Sequence, residues 1–414
     1  MKSCTSGMSQ RRDQCDLGLF RSPNPRLSGN KEVPATWGRR GRNMQPTPPL
    51  VLTSDDTGLY KVVDVAKKKV DRRFGRQAQG RGIEAMAWSG LYSGGDSYDS
   101  HFLSALQNGR VENRSRSTGE VTQSFQMASA GCSGLATIDS KRLLSGTKNG
   151  VVQIFEEGKE ASTFKVGEKT CRVKFCPGSS AIATGGNEEL LKVWDLATKK
   201  QTFKARNVKP DKLDLRYPVH ILDISFFTNT SSSSSSQQQQ QQQQAATQIV
   251  TATAHHQVRF YDTKAQKRAI WSHKIGENAV RSVLALRDGI TIIAGDGAGE
   301  TLQLDSRVNG RIVGKFKGVG GAITCISQDE SGEFLSTTSL DRFVRVYDIK
   351  TRKMLNKVYL KQRVSSCLFC KNPEGTEEQA PEGKDKTVWD ILESQRNKTV
   401  SSKKRKQKRA GGEK

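Results

Sequence analysis

Catalytic side chains are scarce in this sequence: 414 residues hold 5 histidines, which leaves few candidates for general acid–base chemistry. It contains no P-loop, no GxGxxG following a strand, no HExxH and no GxSxG. The glycines of GDGAGE (295–300) join two strand-like runs and open no helix, so they read as a turn. His255 and His256 are adjacent, and neighbours in a strand point apart, which makes a poor metal pair. No run approaches the roughly 18 apolar residues of a membrane-crossing helix, so no membrane partner is expected. The N-terminal stretch carries charge instead of an apolar h-region, and a secretory signal is not expected. Glycine, at 38 residues, follows no three-residue period, which excludes collagen. Apolar residues reach only 34%, and glycine does not lift the total to the roughly 45–50% of an ordinary globular chain. Part of the chain is therefore expected to remain unfolded.

Positive charge is what the sequence has in excess. Against 42 Asp and Glu stand 67 Lys and Arg, a formal net charge of +25. Met1 to Pro46 carries +6 and Arg396 to Lys414 carries +8, leaving +11 for the body. Two basic ends on a basic body fit a protein that works beside polyanions, and exceed what solubility needs. The 8 cysteines read as reduced thiols. Cys367-Leu-Phe-Cys370 has CxxC spacing, but no second pair follows, and in a strand positions three apart face opposite sides. No metal and no other cofactor is expected.

A repeat decides the fold. A turn residue, alternating apolar positions and a bulky residue recur in TGLYKVVD (57–64), NGRVENRS (108–115), NGVVQIFE (149–156), EELLKVWD (188–195), HHQVRFYD (255–262), GETLQLDS (299–306) and DRFVRVYD (341–348). The bulky column is Val63, Arg114, Phe155, Trp194, Tyr261, Leu304 and Tyr347, with gaps of 51, 41, 39, 67, 43 and 43. The widest gap contains Ser231 to Ser236 and Gln237 to Gln244, which supply no core. This is the spacing of WD repeats, about 40–45 residues and four strands each. CRVKFCP and AIATGGN, then AITCISQD and EFLSTTSLD, read as the first two strands of the fourth and seventh units, and KMLNKVYL (353–360) as a fourth strand. The terminal RVSSCLFC (363–370) resembles a first strand with no blade after it, while the opening unit lacks one. The chain is thus expected to be an all-β, seven-bladed propeller whose ends join in a three-plus-one blade, removing an exposed sheet edge.

The repeats lack the usual Gly-His opening, and only Trp194-Asp195 supplies the eponymous ending. Asp341 stands where a turn aspartate bonds backbone amides, a structural role; other units hold Asn149, His256 or Gly297 there. Residues 1–46 read as a disordered basic arm, 47–370 as the propeller with a Ser/Gln-rich loop over 228–247, and 371–414 as a tail. The arm also reads as a targeting segment, or as residues upstream of a start at Met44. Within FKARNVKPDKLDLRYPVH (203–220), longer than a plain linker, Lys204, Arg206, Asn207, Lys209, Lys212, Asp214 and Arg216 are candidates for holding RNA or protein. In the tail, KTVWDILESQR (386–396) suggests a short helix whose Trp389 and Leu392 dock on the propeller or a partner. Lys403, Lys404, Arg405, Lys406, Lys408 and Arg409 read as a nuclear or nucleolar signal that also binds RNA.

The stretch ATGGNEELLKVWDLATKKQTFKARNVKPDKLDLRYPVH (183–220) resembles the WD-repeat protein 74 family, nuclear factors of large ribosomal subunit assembly. HHQVRFYD and LDRFVRVYDIKTRKMLNKVYL (340–360) are similar to its later blades, and the KTVWDILES segment and basic tail match its C-terminal arrangement. The N-terminal arm and the Ser/Gln insertion depart from it. The resemblance implies a seven-bladed, non-catalytic propeller in nucleolar pre-ribosomes, bound to ribosomal RNA and ribosomal proteins. It also implies association with an exosome-linked RNA helicase and release by a nuclear AAA-type ATPase. The competing class is a ubiquitin-ligase substrate receptor, whose docking mark is a WDxR ending. Here Leu304-Asp305-Ser306-Arg307 has the Arg without the Trp, and Trp194-Asp195 lacks the Arg.

Overall fold

The computed structural model describes residues 48–90, 100–156, 158–177, 179–210, 213–227 and 247–370. The chain divides into two units, Met1–Pro46 and Thr47–Lys414, and every described residue belongs to the second. That unit consists of seven four-stranded antiparallel sheets. In blade one, β28 (Val364–Phe369) pairs with β1 (Val51–Asp55), followed by β2 (Leu59–Asp64) and β3 (Lys69–Gly75). Blade two holds β4 (Ile83–Trp88) to β7 (Val121–Gln126), and blade three β8 (Cys132–Thr137) to β11 (Lys159–Lys165). Blade four runs from β12 (Thr170–Phe175) to β15 (Lys200–Lys204), and blade five from β16 (Ile221–Phe226) to β19 (Trp271–Lys274). Blade six runs from β20 (Val280–Ala285) to β23 (Arg311–Phe316), and blade seven from β24 (Ile323–Gln328) to β27 (Met354–Tyr359).

The ring closes as the alternation of RVSSCLFC predicts. Val51, Leu52 and Thr53 face Phe369, Leu368 and Cys367 across an antiparallel ladder, and β28 touches the first strands of blades seven and two. The two cysteines of the CxxC pair do face opposite ways. Cys367 enters the core shared with blade seven, and Cys370 the core shared with blade two.

Hydrophobic packing lies between blades. The described residues form seven apolar clusters, and each spans one junction between neighbouring sheets. Second strands are buried on both faces, so they read as continuous apolar and small-residue runs. Small residues are obligatory at points: a Cβ on Gly134 would lie 2.0 Å from the Val173 carbonyl oxygen of the next blade. Fourth strands are mostly exposed. The bulky column occupies one register position in all seven third strands, and in six blades the pairing to the fourth strand shifts by a bulge there. A bulky side chain, half-buried at Trp194 and buried in the other blades, beside a bulge in six of them is the local feature behind the repeat.

Candidate interaction surfaces

A second column of side chains, two positions before the bulky one, holds each blade to the segment arriving from its predecessor. It consists of Lys61, Glu112, Gln153, Lys192, Arg259, Leu302 and Arg345, and all but Lys192 are buried. Lys61 Nζ donates to the Leu360 carbonyl at 2.8 Å and to Gln362 Oε1 at 2.6 Å. Glu112 Oε1 accepts from Arg81 Nη2 at 3.1 Å, and Gln153 Oε1 from the Ala128 amide at 2.6 Å. Lys192 Nζ donates to the Val166 carbonyl at 3.2 Å, and Arg259 Nη1 to Asn207 Oδ1 at 3.1 Å. Arg345 pairs with Asp341, whose Oδ2 accepts the Gly320 amide at 3.3 Å. Only blade six substitutes an apolar side chain. Burial draws the Lys61 ammonium below its ordinary range, against the pull of the Asp55 carboxylate. Polar residues framed by apolar ones at a fixed offset from the bulky column are a signal present in the sequence.

Asp341 Oδ1 accepts the Phe343 amide at 3.1 Å and Arg345 Nη1 at 3.2 Å, and it bonds Ser339 Oγ. Burial raises its carboxyl, but these hydrogen bonds outweigh that and hold it below the usual carboxylate range. In four other blades the turn is tied from the end of the second strand, by Asp55, Thr147, Thr253 and Asp296. The turns at Asn149, His256 and Gly297 are therefore specified one strand end earlier than the aligned position suggests.

Blade two places a charge where other blades place a bulky apolar side chain. Arg114 is buried, its Nε 3.0 Å from Glu112 Oε2, its Nη1 2.8 Å from the Gly119 carbonyl and its guanidinium 5.2 Å from the Tyr60 ring centroid. Near the axis, Arg172 Nε lies 2.9 Å from Asp223 Oδ1, and Asp223 Oδ2 accepts from Ser282 Oγ and the Val283 amide. This bridge ties the first strands of blades four, five and six.

The connection between blades four and five covers 205–220, sixteen residues, where other blade-to-blade connections have four to seven. Its two limbs are pinned together. Asn207 Nδ2 donates to the Tyr217 carbonyl at 2.7 Å, while its Oδ1 accepts from Arg259 and from the Val208 amide. Arg259 is 1% exposed, and its Nε and Nη2 are taken by Gln257 Oε1. The Arg206 amide donates to the Lys267 carbonyl, and Arg268 Nε to the Asn207 carbonyl. Asn207, a candidate for partner contact, thus spends its amide on shaping the loop. Lys204, Arg206, Lys209 and Arg216 are exposed and form no ion pair among the described residues. Asp214 is exposed in the left-handed backbone region at φ 58°, beside Leu213 and Leu215, which are 78% and 62% exposed. Lys212, Trp389, Leu392, Lys403, Lys404, Arg405, Lys406, Lys408 and Arg409 lie outside the described residues. Arg307 folds back onto Asp305, Nη2 to Oδ2 at 3.0 Å, and Leu304 is buried. Among the described residues no group of three or more His, Cys, Asp or Glu could hold a metal ion, and no helix is long and apolar enough to cross a membrane.

Seven interlocked sheets with a bonded seam define a WD-repeat β-propeller, and the model of the WD domain, G-beta repeat, matches residues 310–348. The chain is 30% identical over 346 residues to WD repeat-containing protein 74 of Bos taurus, spanning 80% of this chain and 83% of that protein. It is 27% identical over 347 residues to the Homo sapiens protein of the same name. Over 249 residues it is 27% identical to ribosome biogenesis protein NSA1 of Yarrowia lipolytica, 53% of this chain and 57% of that one. The chain belongs to the WD repeat-containing protein 74 family.

Proposed function

We propose that this chain is a non-catalytic assembly factor of the large ribosomal subunit. Similarity to a protein named for ribosome biogenesis carries the reading. A net charge of +25 supports it, since a particle rich in RNA presents dense negative charge. In this reading the propeller is a rigid disc that binds pre-ribosomal RNA and proteins in the nucleolus and acts during pre-rRNA processing. Lys204 at the end of β15 and Arg206, Lys209 and Arg216 of the pinned 205–220 connection, with Lys212, contact the particle; the first four have no carboxylate partner among the described residues and lose no internal ion pair on binding. The basic tail serves as the nucleolar address, and Trp389 and Leu392 dock. An exosome-linked RNA helicase is a partner, and a nuclear AAA-type ATPase releases the factor.

Sedimentation of the tagged protein through sucrose gradients tests the role. Co-migration with pre-large-subunit particles, sensitive to RNase and to salt, is expected. Migration only as a free monomer at low salt contradicts it. Replacing Lys403, Lys404, Arg405 and Lys406 with alanine should weaken nucleolar retention while the melting temperature stays unchanged. Unaltered imaging would place the address elsewhere.

A further inference from the structure

The outer edge of blade seven carries an exposed aromatic ring amid unpaired cations, on the side facing blade six. Phe343 and Tyr359 are directly opposite each other in the ladder of β26 (Phe343–Asp348) and β27. Their ring centroids are 5.1 Å apart, and Tyr359 is 49% exposed. Phe343 is buttressed by the Arg345 guanidinium at 5.2 Å and by Lys357 Nζ at 5.6 Å from its centroid. Tyr359 therefore stands on a rigid strand with a second ring behind it, and immobilising it on binding costs little entropy. Lys357 precedes it by two positions on the same face of the strand, and Lys361 follows just beyond the end of β27, in a turn with left-handed backbone at φ 69°. Arg342 lies in the adjoining turn, its carbonyl accepting the Leu360 amide at 2.9 Å. Lys317 arrives from blade six, its carbonyl held by Tyr347 Oη at 3.0 Å on the same side of the sheet. Lys317, Arg342, Lys357 and Lys361 are exposed and form no ion pair among the described residues. Asp341, the carboxylate of the adjoining turn, is taken by Arg345.

We infer that this edge binds single-stranded RNA, with an unpaired base stacked on Tyr359 and flanking phosphates met by the surrounding cations. A lone exposed ring among charges of one sign suits a base, whose face is aromatic and whose backbone is anionic. Besides Tyr359, blade seven exposes Leu340 in the turn before β26 and Met354 at the start of β27, at 44% and 39%, which fall short of the wide apolar surface a protein partner needs. The site goes beyond the assembly role and does not depend on it, because binding is measured on the isolated full-length chain.

The test is fluorescence anisotropy with a labelled twelve-residue oligouridine and with an RNA duplex of equal length. Tyr359→Ala leaves every charge in the chain unchanged, so the basic ends contribute equally to both proteins. Its affinity for the single strand should fall about tenfold, a loss of one stacked base, while Tyr359→Phe stays within about twofold. Duplex binding should not distinguish wild type from Tyr359→Ala. The double substitution Lys357→Ala/Lys361→Ala should flatten the dependence of log K on log salt by about 1.4, two phosphate contacts on a single strand. Equal single-strand affinity of wild type and Tyr359→Ala overturns the site, as does the same loss on duplex or an unchanged salt slope. Failure here leaves the sedimentation result untouched.

Discussion

Ser54 Oγ and Ser365 Oγ lie 2.9 Å apart although 311 positions separate them in the chain. They sit on β1 and β28, so the last described strand completes the first sheet. Loop-closure entropy rises only logarithmically with separation, and joining the ends removes the exposed edge that an open ring of blades would carry.

Glu112 compensates the buried cation of blade two. Glu112→Ala removes the carboxylate from Arg114, whose side chain is 8% exposed, and from Arg81. Urea unfolding should show a loss of about 3–5 kcal/mol, because the guanidinium stays buried without a counter-charge. A loss below 1 kcal/mol would mean that the Gly119 carbonyl and the Tyr60 ring suffice.

The 205–220 connection separates shape from contact. Asn207→Ala should lower stability by about 1–3 kcal/mol, since Arg259 loses an acceptor and the two limbs lose their clasp. Reversing Lys204, Arg206, Lys209 and Arg216 to glutamate should leave the melting temperature nearly unchanged and weaken particle association in gradients. If Asn207→Ala alone left stability intact, the clasp would not hold the loop.

Asp341 should give a pH-dependent signature. Its folded-state carboxyl is depressed below the ordinary aspartate value of 3.8, so its stabilising contribution is present above that value and disappears as pH falls through the folded pKa. Asp341→Asn should melt lower than wild type at pH 7, and the two melting curves should converge as pH drops below about 4. A constant difference from pH 7 to pH 3 would show that charge is not involved.

Gly134 sits where blades three and four approach closely. Gly134→Ala drives a methyl into the Val173 backbone, and thermal denaturation should register about 1–3 kcal/mol of destabilisation from overpacking. A neutral substitution would mean that the junction between blades three and four yields easily.

Much of this frame is legible in the sequence. The bulky column from Val63 to Tyr347 keeps one register position because a buried side chain and a bulge recur there, and RVSSCLFC announces the seam by its alternation. The polar column from Lys61 to Arg345 is harder to read. Six of its seven members are buried and all share a backbone position, but lysine, glutamate, glutamine, arginine and leucine all occur among them, so no single residue type marks the column. Asn207 shows the same difficulty: a polar residue in a basic loop looks like a contact until its amide is found between Tyr217 and Arg259. Tyr359 reads as one alternating residue of KMLNKVYL, and neither its exposure nor its pairing with Phe343 across the ladder is visible there.

Disulfide trapping tests ring closure most directly. Thr53 and Cys367 are direct partners across β1 and β28, and opposed residues of an antiparallel pair have Cα atoms about 4.5–5.5 Å apart, within reach of a disulfide. Mild oxidation of the Thr53→Cys variant, followed by digestion and mass spectrometry without reductant, should yield the peptide pair joining positions 53 and 367, together with a raised melting temperature. A folded, oxidised variant lacking that pair would contradict a ring closed by its own two ends.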